Sequence, residues 1–474
     1  MADQQFLAIL TEFLKTAQSA FPIANEAPLH MRFPSSERST VLGSPTGKDF
    51  WESEPAQMLV ENLYSDEVIA SYLRPPENQE ATELQGILAS YVGVWNASGL
   101  EAAAFANNTA SELLAELRLN ERACTAFRVV NGIEMPNETD GANLSFGITI
   151  LPASRRNLTQ LFLNAGMNPI EIVKVPAGPA ALVVIEQRVS RDDMGPLASV
   201  SAFGFSVVLG IQVRMALWLA SGRLPTLGDA FAFEKATYPA IQHQQVPAAL
   251  ERKFPPSGEA WTLDQEAVDQ LDSVLRRVAV LWGWVNPRSE DETTRRVAWT
   301  ALTYLDSALN TADWALVLLL SYSAIDGLLL SREESDSFLV YRTAWLIGRS
   351  DSERRNIRRF IDKLYFVRSK VAHGERPAIS ELEGLAGENE GGNAANGRPP
   401  DLELRVKNRC LELARRAGLA FIWLALDHDE EGLPYFRRTK SEIVGLLDAA
   451  HQNDVEAKNE LSSRMPLELF RDPL

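Results

Sequence analysis

The stretch Trp314–Leu330, WALVLLLSYSAIDGLLL, decides between a membrane protein and a globular one. This apolar run is 17 residues long, against the roughly 20 that a bilayer span needs. Ser321, Ser323 and Asp326 interrupt it, and an ionisable side chain in hydrocarbon is costly. It therefore predicts a buried core helix and no membrane partner.

Helical spacing continues on both sides of that core helix. Segments at 263–284, 291–310, 313–331, 336–348, 352–373 and 402–427, with a last group at 439–460, read as a bundle spanning 254–474. The Gly-, Asn-, Pro- and Glu-rich stretch between Arg376 and Asp401 predicts a flexible loop at 377–400. Upstream, Pro247, Pro255, Pro256 and Ser257-Gly258 mark a domain boundary near 250. Between 127 and 238 the texture changes to short β-branched runs, NLSFGITILP, LTQLFLNA, IEIVKV, AALVVIEQRV and SAFGFSVVLGIQVR, which predict strands. Residues 1–120 read as helices broken by a Pro/Ser/Gly-rich loop, Phe33–Phe50. The expected fold class is α+β multidomain: a mixed helix/strand region over 1–250, then an all-α helical bundle.

A chain of 474 residues fits about two or three domains. With 46% hydrophobic and 23% charged residues, disorder, collagen and disulfide scaffolds are excluded. The 46 Lys and Arg against 63 Asp and Glu give a net charge of −17, so any nucleic-acid site must be local. Cys124 and Cys410 stand far apart without ligand-spaced neighbours, which fits a reducing cytoplasm and gives no zinc site. The amino terminus, with Asp3 where a signal peptide carries positive charge, reads as an amphipathic helix.

Gly43-Ser-Pro-Thr-Gly47-Lys48-Asp49 resembles a phosphate loop only superficially. It has three residues between the glycines where four are needed, and Asp49 where Ser or Thr would ligate magnesium. His30, His243, His428 and His451 lack partners at useful spacing, and no cofactor or metal is expected. Trp282, Trp284, Trp299 and Trp345 fall at apolar-face positions and predict core.

Chemistry concentrates in Leu364-Tyr365-Phe366-Val367-Arg368-Ser369-Lys370-Val371-Ala372-His373-Gly374, the end of a helix starting near a Ser352 cap. Arg368 and His373 are five residues apart, about 140° in azimuth and roughly 7.5 Å along a helix. Ser369 lies one turn before His373 and shares its face. Gly374 suits the left-handed residue that ends a helix. An imidazole that titrates near neutrality can exchange protons, and a forked guanidinium can grip a phosphate. Arg354, Arg355, Arg358 and Arg359 follow one another at i, i+1, i+4 and i+5, and 351–376 holds eight Lys/Arg against four Asp/Glu. These arginines and Lys370 read as a phosphate-backbone track or as a solvated helix face. Arg405, Lys407, Arg409, Arg415 and Arg416 add further positive charge downstream.

The Leu-Tyr, Arg-x4-His and Gly pattern resembles the signature helix of the HEPN superfamily, in particular its Apea-like group. An upstream apolar helix with Asp326 and a later helix, Arg409 to Leu426, complete the layout, so the resemblance covers roughly 313–427. Two positions depart from the usual pattern: Ser369 stands where Asn, Asp or His is common after the arginine, and Asp326 where Glu is common. The resemblance implies a metal-independent endoribonuclease of prokaryotic antiviral defence or a toxin–antitoxin system, acting on RNA such as tRNA. In that reading His373 moves the proton, Arg368 stabilises the phosphate charge, and Ser369 and Asp326 support them. It also implies a homodimer or higher even oligomer, with a protein partner or trigger received by the region before 250. The rival expectation is a non-catalytic HEPN module, an oligomerisation or nucleotide-binding platform that scaffolds a protein or nucleotide partner. A plainer alternative is that Arg368 packs or pairs with a carboxylate such as Asp326 and His373 merely caps its helix.

Overall fold

The computed structural model describes residues 4–20, 49–74, 82–136, 141–164, 178–190, 212–223, 225–234, 237–238, 244–246, 260–284, 286–288, 291–331, 333–387, 402–430 and 432–464. The chain is mostly helical, with a six-stranded sheet in its N-terminal half. It divides into two units, Met1–Gln212 with Pro225–Leu263, and Val213–Leu224 with Asp264–Leu474. The break expected near 250, the Phe33–Phe50 loop up to residue 48 and the strand expected at IEIVKV lie outside the described residues.

In the first unit, α1 (Gln4–Ala20) packs on α2 (Glu54–Tyr64) and α5 (Ala102–Leu117), with α3 (Glu67–Leu73) and α4 (Thr82–Ser98) completing the helical part. Its core is aromatic: the Phe13 and Phe50 ring centroids lie 5.4 Å apart, and Tyr91 meets Tyr238 edge-on at 4.9 Å. The sheet has the order β3-β4-β5-β1-β6-β7, all pairs antiparallel. Its strands are β1 (Glu121–Asn131), β3 (Ala142–Asn143), β4 (Ile148–Pro152), β5 (Ala180–Ser190), β6 (Thr226–Glu234) and β7 (Gln244–Val246). A short parallel pair joins β2 (Ile133–Glu134) to β8 (Trp261–Thr262). Phe127 of β1 lies directly opposite Val184 of β5 and Phe231 of β6, so one face carries a cross-strand apolar row.

One expectation for this region is corrected. LTQLFLNA forms part of a helix, α6 (Arg155–Asn164), not a strand. Leu158 and Leu161, three residues apart, both bury against Phe127, Leu182 and Phe231, while the Ser154 hydroxyl accepts the Asn157 N–H at the helix start. The run SAFGFSVVLGIQVR is described only from 212, where a helical stretch, 212–221, begins. Val213 and Met215–Ala220 are all buried, and Val213–Leu224 belongs to the second unit. Unbroken burial of this kind suits a core helix as well as a strand.

The second unit holds α7 (Gln265–Trp282), α8 (Glu292–Leu309), α9 (Trp314–Leu329), α10 (Asp336–Ile347), α11 (Asp351–Ala372), α12 (Ile379–Ala386), α13 (Leu402–Ala425), α14 (Lys440–His451) and α15 (Val455–Arg464). Its starts are written locally: the side chains of Asp264, Asp291, Asp313, Ser335, Ser350 and Thr439 each accept a backbone N–H of the turn that follows. The cap of α11 is thus Ser350, two residues before the expected Ser352. The run that opened the sequence argument is α9, buried between α8 and α13. Among the described residues no helix is long and apolar enough to cross a membrane.

The bundle is not all-α. The chain leaving α13 forms a hairpin, β9 (Leu426–His428) with β10 (Pro434–Phe436). Part of the expected 377–400 loop is also ordered, because Leu382 and Leu385, three apart, bury one face of α12; residues 388–400 lie outside the described residues. Trp345 is core, but Trp299 is 48% exposed on α8.

Buried arginines lock the unit. Arg342 of α10 is 1% exposed. Its guanidinium bonds Asp448 of α14 through Nε and Nη2 at 2.8 and 2.9 Å, Glu334 through Nη1 and Nη2 at 2.7 Å each, and the Leu329 carbonyl at 2.8 Å. Arg415 of α13 forks onto Glu412 and donates to the Leu219 carbonyl at 2.5 Å, fastening the 212–221 stretch.

Candidate functional site

Helix α11 carries the Arg368/His373 motif. Ile357, Phe360, Ile361, Leu364 and Val367 form its buried stripe, leaving Tyr365, Phe366 and His373 exposed and Arg368, Ser369 and Lys370 half-buried. The helix ends in a Schellman arrangement: Gly374 sits at φ +76°, its N–H reaches the Val371 carbonyl, and the Glu375 N–H reaches the Lys370 carbonyl. His373 is the C-cap residue, its own N–H donated to the Ser369 and Lys370 carbonyls at 3.1 Å. Backbone bonds and Gly374 close the helix, so the imidazole is not needed for capping. Its ring makes no hydrogen bond with any described residue.

The Arg368 guanidinium carbon lies 5.2 Å from the centre of the Tyr322 ring on α9. No described carboxylate pairs with Arg368 within 4.0 Å, so its donors are not occupied by an acidic fork. Around it the structure gathers groups from four elements. Tyr322 donates its hydroxyl to Asp336 of α10 at 3.1 Å and faces the exposed Tyr365 of α11 at 6.3 Å between centroids. Lys440 of α14 donates to the Gly327 and Leu330 carbonyls at the end of α9, at 2.8 and 2.6 Å. Burial and the nearby carboxylates of Asp336 and Asp326 push the Tyr322 phenol well above its ordinary range. Burial lowers the Lys440 ammonium.

Burial, then the Asp336 charge, raises the Asp326 carboxyl against the opposing pull of Arg368 and Lys440. The sign of its effect on stability follows from linkage. A carboxyl whose folded pKa is raised keeps a proton that the unfolded chain releases near pH 4, so stability falls as pH rises through the window above about pH 4. Asp326→Asn is therefore expected to gain stability relative to the unsubstituted protein as pH rises from about pH 4 to pH 7. Urea denaturation at pH 4 and pH 7 checks this; a loss confined to pH 7 contradicts it.

The basic track is divided. Arg355 and Arg359 are exposed, but Arg354 lies over the Trp345 ring at 4.0 Å and pairs with Asp351 at 2.8 Å. Arg358 turns toward the ring of His451, Nη2 to Nδ1 3.5 Å, and that ring stacks on Tyr341 at 4.2 Å. Residues at i and i+1 diverge by about 100°, so neighbouring arginines enter different surroundings. Lys370 is committed too, paired with Glu381 at 2.7 Å and set over Phe366 at 4.7 Å. Of the five cations expected to contact RNA, Arg354, Arg358 and Lys370 are thus engaged with neighbouring side chains.

Among the described residues no group of three or more His, Cys, Asp or Glu is placed to hold a metal ion. Cys410 is fully buried, which pushes its thiol up to about 12. The sequence reading missed Tyr322, Asp336 and Lys440. Tyr322 was within reach, one turn before Asp326 on the same helix face; the other two arrive from separate elements. In comparison with known proteins, no family model, no curated protein and no solved structure matches the chain.

Proposed function

We propose that the second unit is a HEPN-type endoribonuclease that cleaves RNA by attack of the ribose 2′-hydroxyl, with Arg368 and His373 as its reacting pair. The observation that carries the reading is the pairing itself. An exposed histidine whose ring bonds no described residue stands five residues after an arginine that no described carboxylate pairs. His373 would take the 2′-hydroxyl proton or protonate the leaving 5′-oxygen; Arg368 would stabilise charge on the pentacoordinate phosphorus. RNA supplies its own nucleophile, so this chemistry requires no metal. Defence or toxin–antitoxin biology in a prokaryotic cytoplasm is the setting this reading favours, with tRNA among the candidate substrates.

The pair is sparse for a reaction with two proton transfers, and a twofold axis beside α11 would bring a second pair to the same phosphate. The reading therefore includes a homodimer or higher even assembly whose interface contains α11, where Tyr365 and Phe366 are 39% and 52% exposed. Light scattering is expected to give an even multiple of the chain mass, and Phe366→Glu to yield a smaller species with diminished cleavage. An active monomer contradicts this part.

The rival is a non-catalytic HEPN module, favoured by one observation: Arg368 rests on Tyr322 beside Asp326, as a packing arginine does. The two readings separate in a cleavage assay of tRNA and mRNA with EDTA present. A nuclease cuts at least one of these RNAs and loses that cutting in His373→Ala; a binding module cuts neither.

A further inference from the structure

An arginine side chain turns about several single bonds, so a guanidinium that must meet one phosphate has to be held by its surroundings. A carboxylate would hold Arg368 but would spend its forked donors and offset its charge. The face of an aromatic ring attracts the cation and spends no donor. Arg368 has the second arrangement. Its guanidinium carbon stands 5.2 Å from the centre of the Tyr322 ring, within the roughly 6 Å over which that attraction acts.

The ring is itself held from several sides. Tyr322 is buried on α9, and its hydroxyl donates to Asp336 Oδ1 at 3.1 Å. Tyr365 of α11 meets it at 6.3 Å between centroids, tilted by 40°. Asp336 belongs to the first turn of α10, whose start is set by the Ser335 hydroxyl accepting the Ser337 N–H at 3.2 Å. Lys440 of α14 bonds the Gly327 and Leu330 carbonyls and so fastens the end of α9. Asp326, one turn beyond Tyr322 on the same helix face, makes no ion pair with Arg368 within 4.0 Å among the described residues. The contact that fixes the arginine is the ring.

On the basis of the nuclease reading above, we propose that Tyr322 is the positioning residue of Arg368, and that Asp336 sets the Tyr322 ring through its hydroxyl. The ring fixes the guanidinium while its N–H groups remain to meet the phosphate oxygens as negative charge grows on them. Support of the arginine thus passes from Asp326 to a tyrosine and a carboxylate brought together by the packing of α9 and α10. Both act through Arg368, and neither is a reacting group.

The test is single-turnover cleavage of tRNA and mRNA by the full chain in EDTA, over a range of protein concentrations, which separates the saturated rate from half-saturation. Tyr322→Leu, which loses the ring, is expected to slow the saturated rate about 10- to 100-fold and to move half-saturation by less than about threefold. Tyr322→Phe and Asp336→Asn keep the ring but weaken its anchor, and are expected to cost about two- to fivefold. Added to Arg368→Ala, Tyr322→Leu is expected to cost nothing further, because the group it positions is gone; a merely structural loss would multiply instead. Thermal melts establish that each variant is folded. If Tyr322→Leu is not, Tyr322→Phe and Asp336→Asn, alone and combined with Arg368→Ala, carry the same test. Cutting at the unsubstituted rate in the Tyr322 variants, or an equal loss with and without Arg368, overturns the proposal, while loss of cutting in His373→Ala still upholds the nuclease reading. Cutting by none of the proteins, or cutting that His373→Ala leaves intact, fails that reading and overturns this proposal with it.

Discussion

Alanine at His373 is expected to slow RNA cleavage by about 10²–10⁴-fold, the usual range for a positioned general acid or base, and to leave folding unchanged. The second half follows from the helix end. His373 is exposed, its ring bonds no described residue, and the Schellman contacts of Gly374 and Glu375 are backbone bonds that the substitution preserves. Arg368→Ala is expected to cost about 10²–10³-fold through lost stabilisation of the phosphate charge. It also removes the contact with Tyr322, worth about 0.5–1 kcal/mol at most for a partly exposed stack, so the melting midpoint should drop slightly. Arg368→Lys keeps the charge but not the fork and should fall between. Single-turnover rates beside thermal melts check all three; wild-type cleavage by both alanine variants removes the assignment.

Replacing Arg342 by methionine is expected to destabilise the second unit by about 3–5 kcal/mol, the cost of stranding the partners of a buried ion pair. Glu334 and Asp448 would then face each other without the guanidinium that now satisfies both through two-point contacts. The same cluster sets an acid limit. The Arg342 hydrogen bonds hold the Glu334 carboxyl down at about 2, against roughly 4.3 in an unfolded chain. A depressed carboxyl contributes stability above the unfolded value and loses it as pH falls through the folded one. Stability should therefore decline between about pH 4 and pH 2, and less steeply in Glu334→Gln. Urea midpoints across that range measure it; identical curves for the two proteins contradict the account of the cluster.

The helices of the second unit were legible because their signals are local. Asp264, Asp291, Asp313 and Ser335 sit at the starts, and apolar residues recur every three or four positions; at α11 the sequence points to Ser352 where Ser350 is the cap. Where the signal was ambiguous the reading failed. Leu158-Thr-Gln-Leu161 has spacing compatible with a helix inside a region read for strands, and the continuous apolar run from Met215 to Ala220 carries no period at all. The β9–β10 hairpin follows α13 without a break that composition marks.

The candidate site was legible in part. Arg368, His373, Ser369 and Gly374 lie within one helix end, where spacing alone fixes their relation. Asp336 and Lys440 reach Tyr322 and Asp326 only through packing of α10 and α14, which no local pattern reports. The fates of Arg354, Arg358 and Lys370 depend likewise on Trp345, His451 and Glu381, residues on other helices. A run of like charges on one helix does not determine which members face water.

The end groups of RNA cut by the purified full chain in EDTA test the central claim most directly. Attack by the 2′-hydroxyl breaks the P–O5′ bond, so the account predicts fragments ending in a 2′,3′-cyclic phosphate and beginning with a 5′-hydroxyl. Fragments with 3′-hydroxyl and 5′-phosphate ends, or cutting that vanishes in EDTA and returns with magnesium, would contradict it.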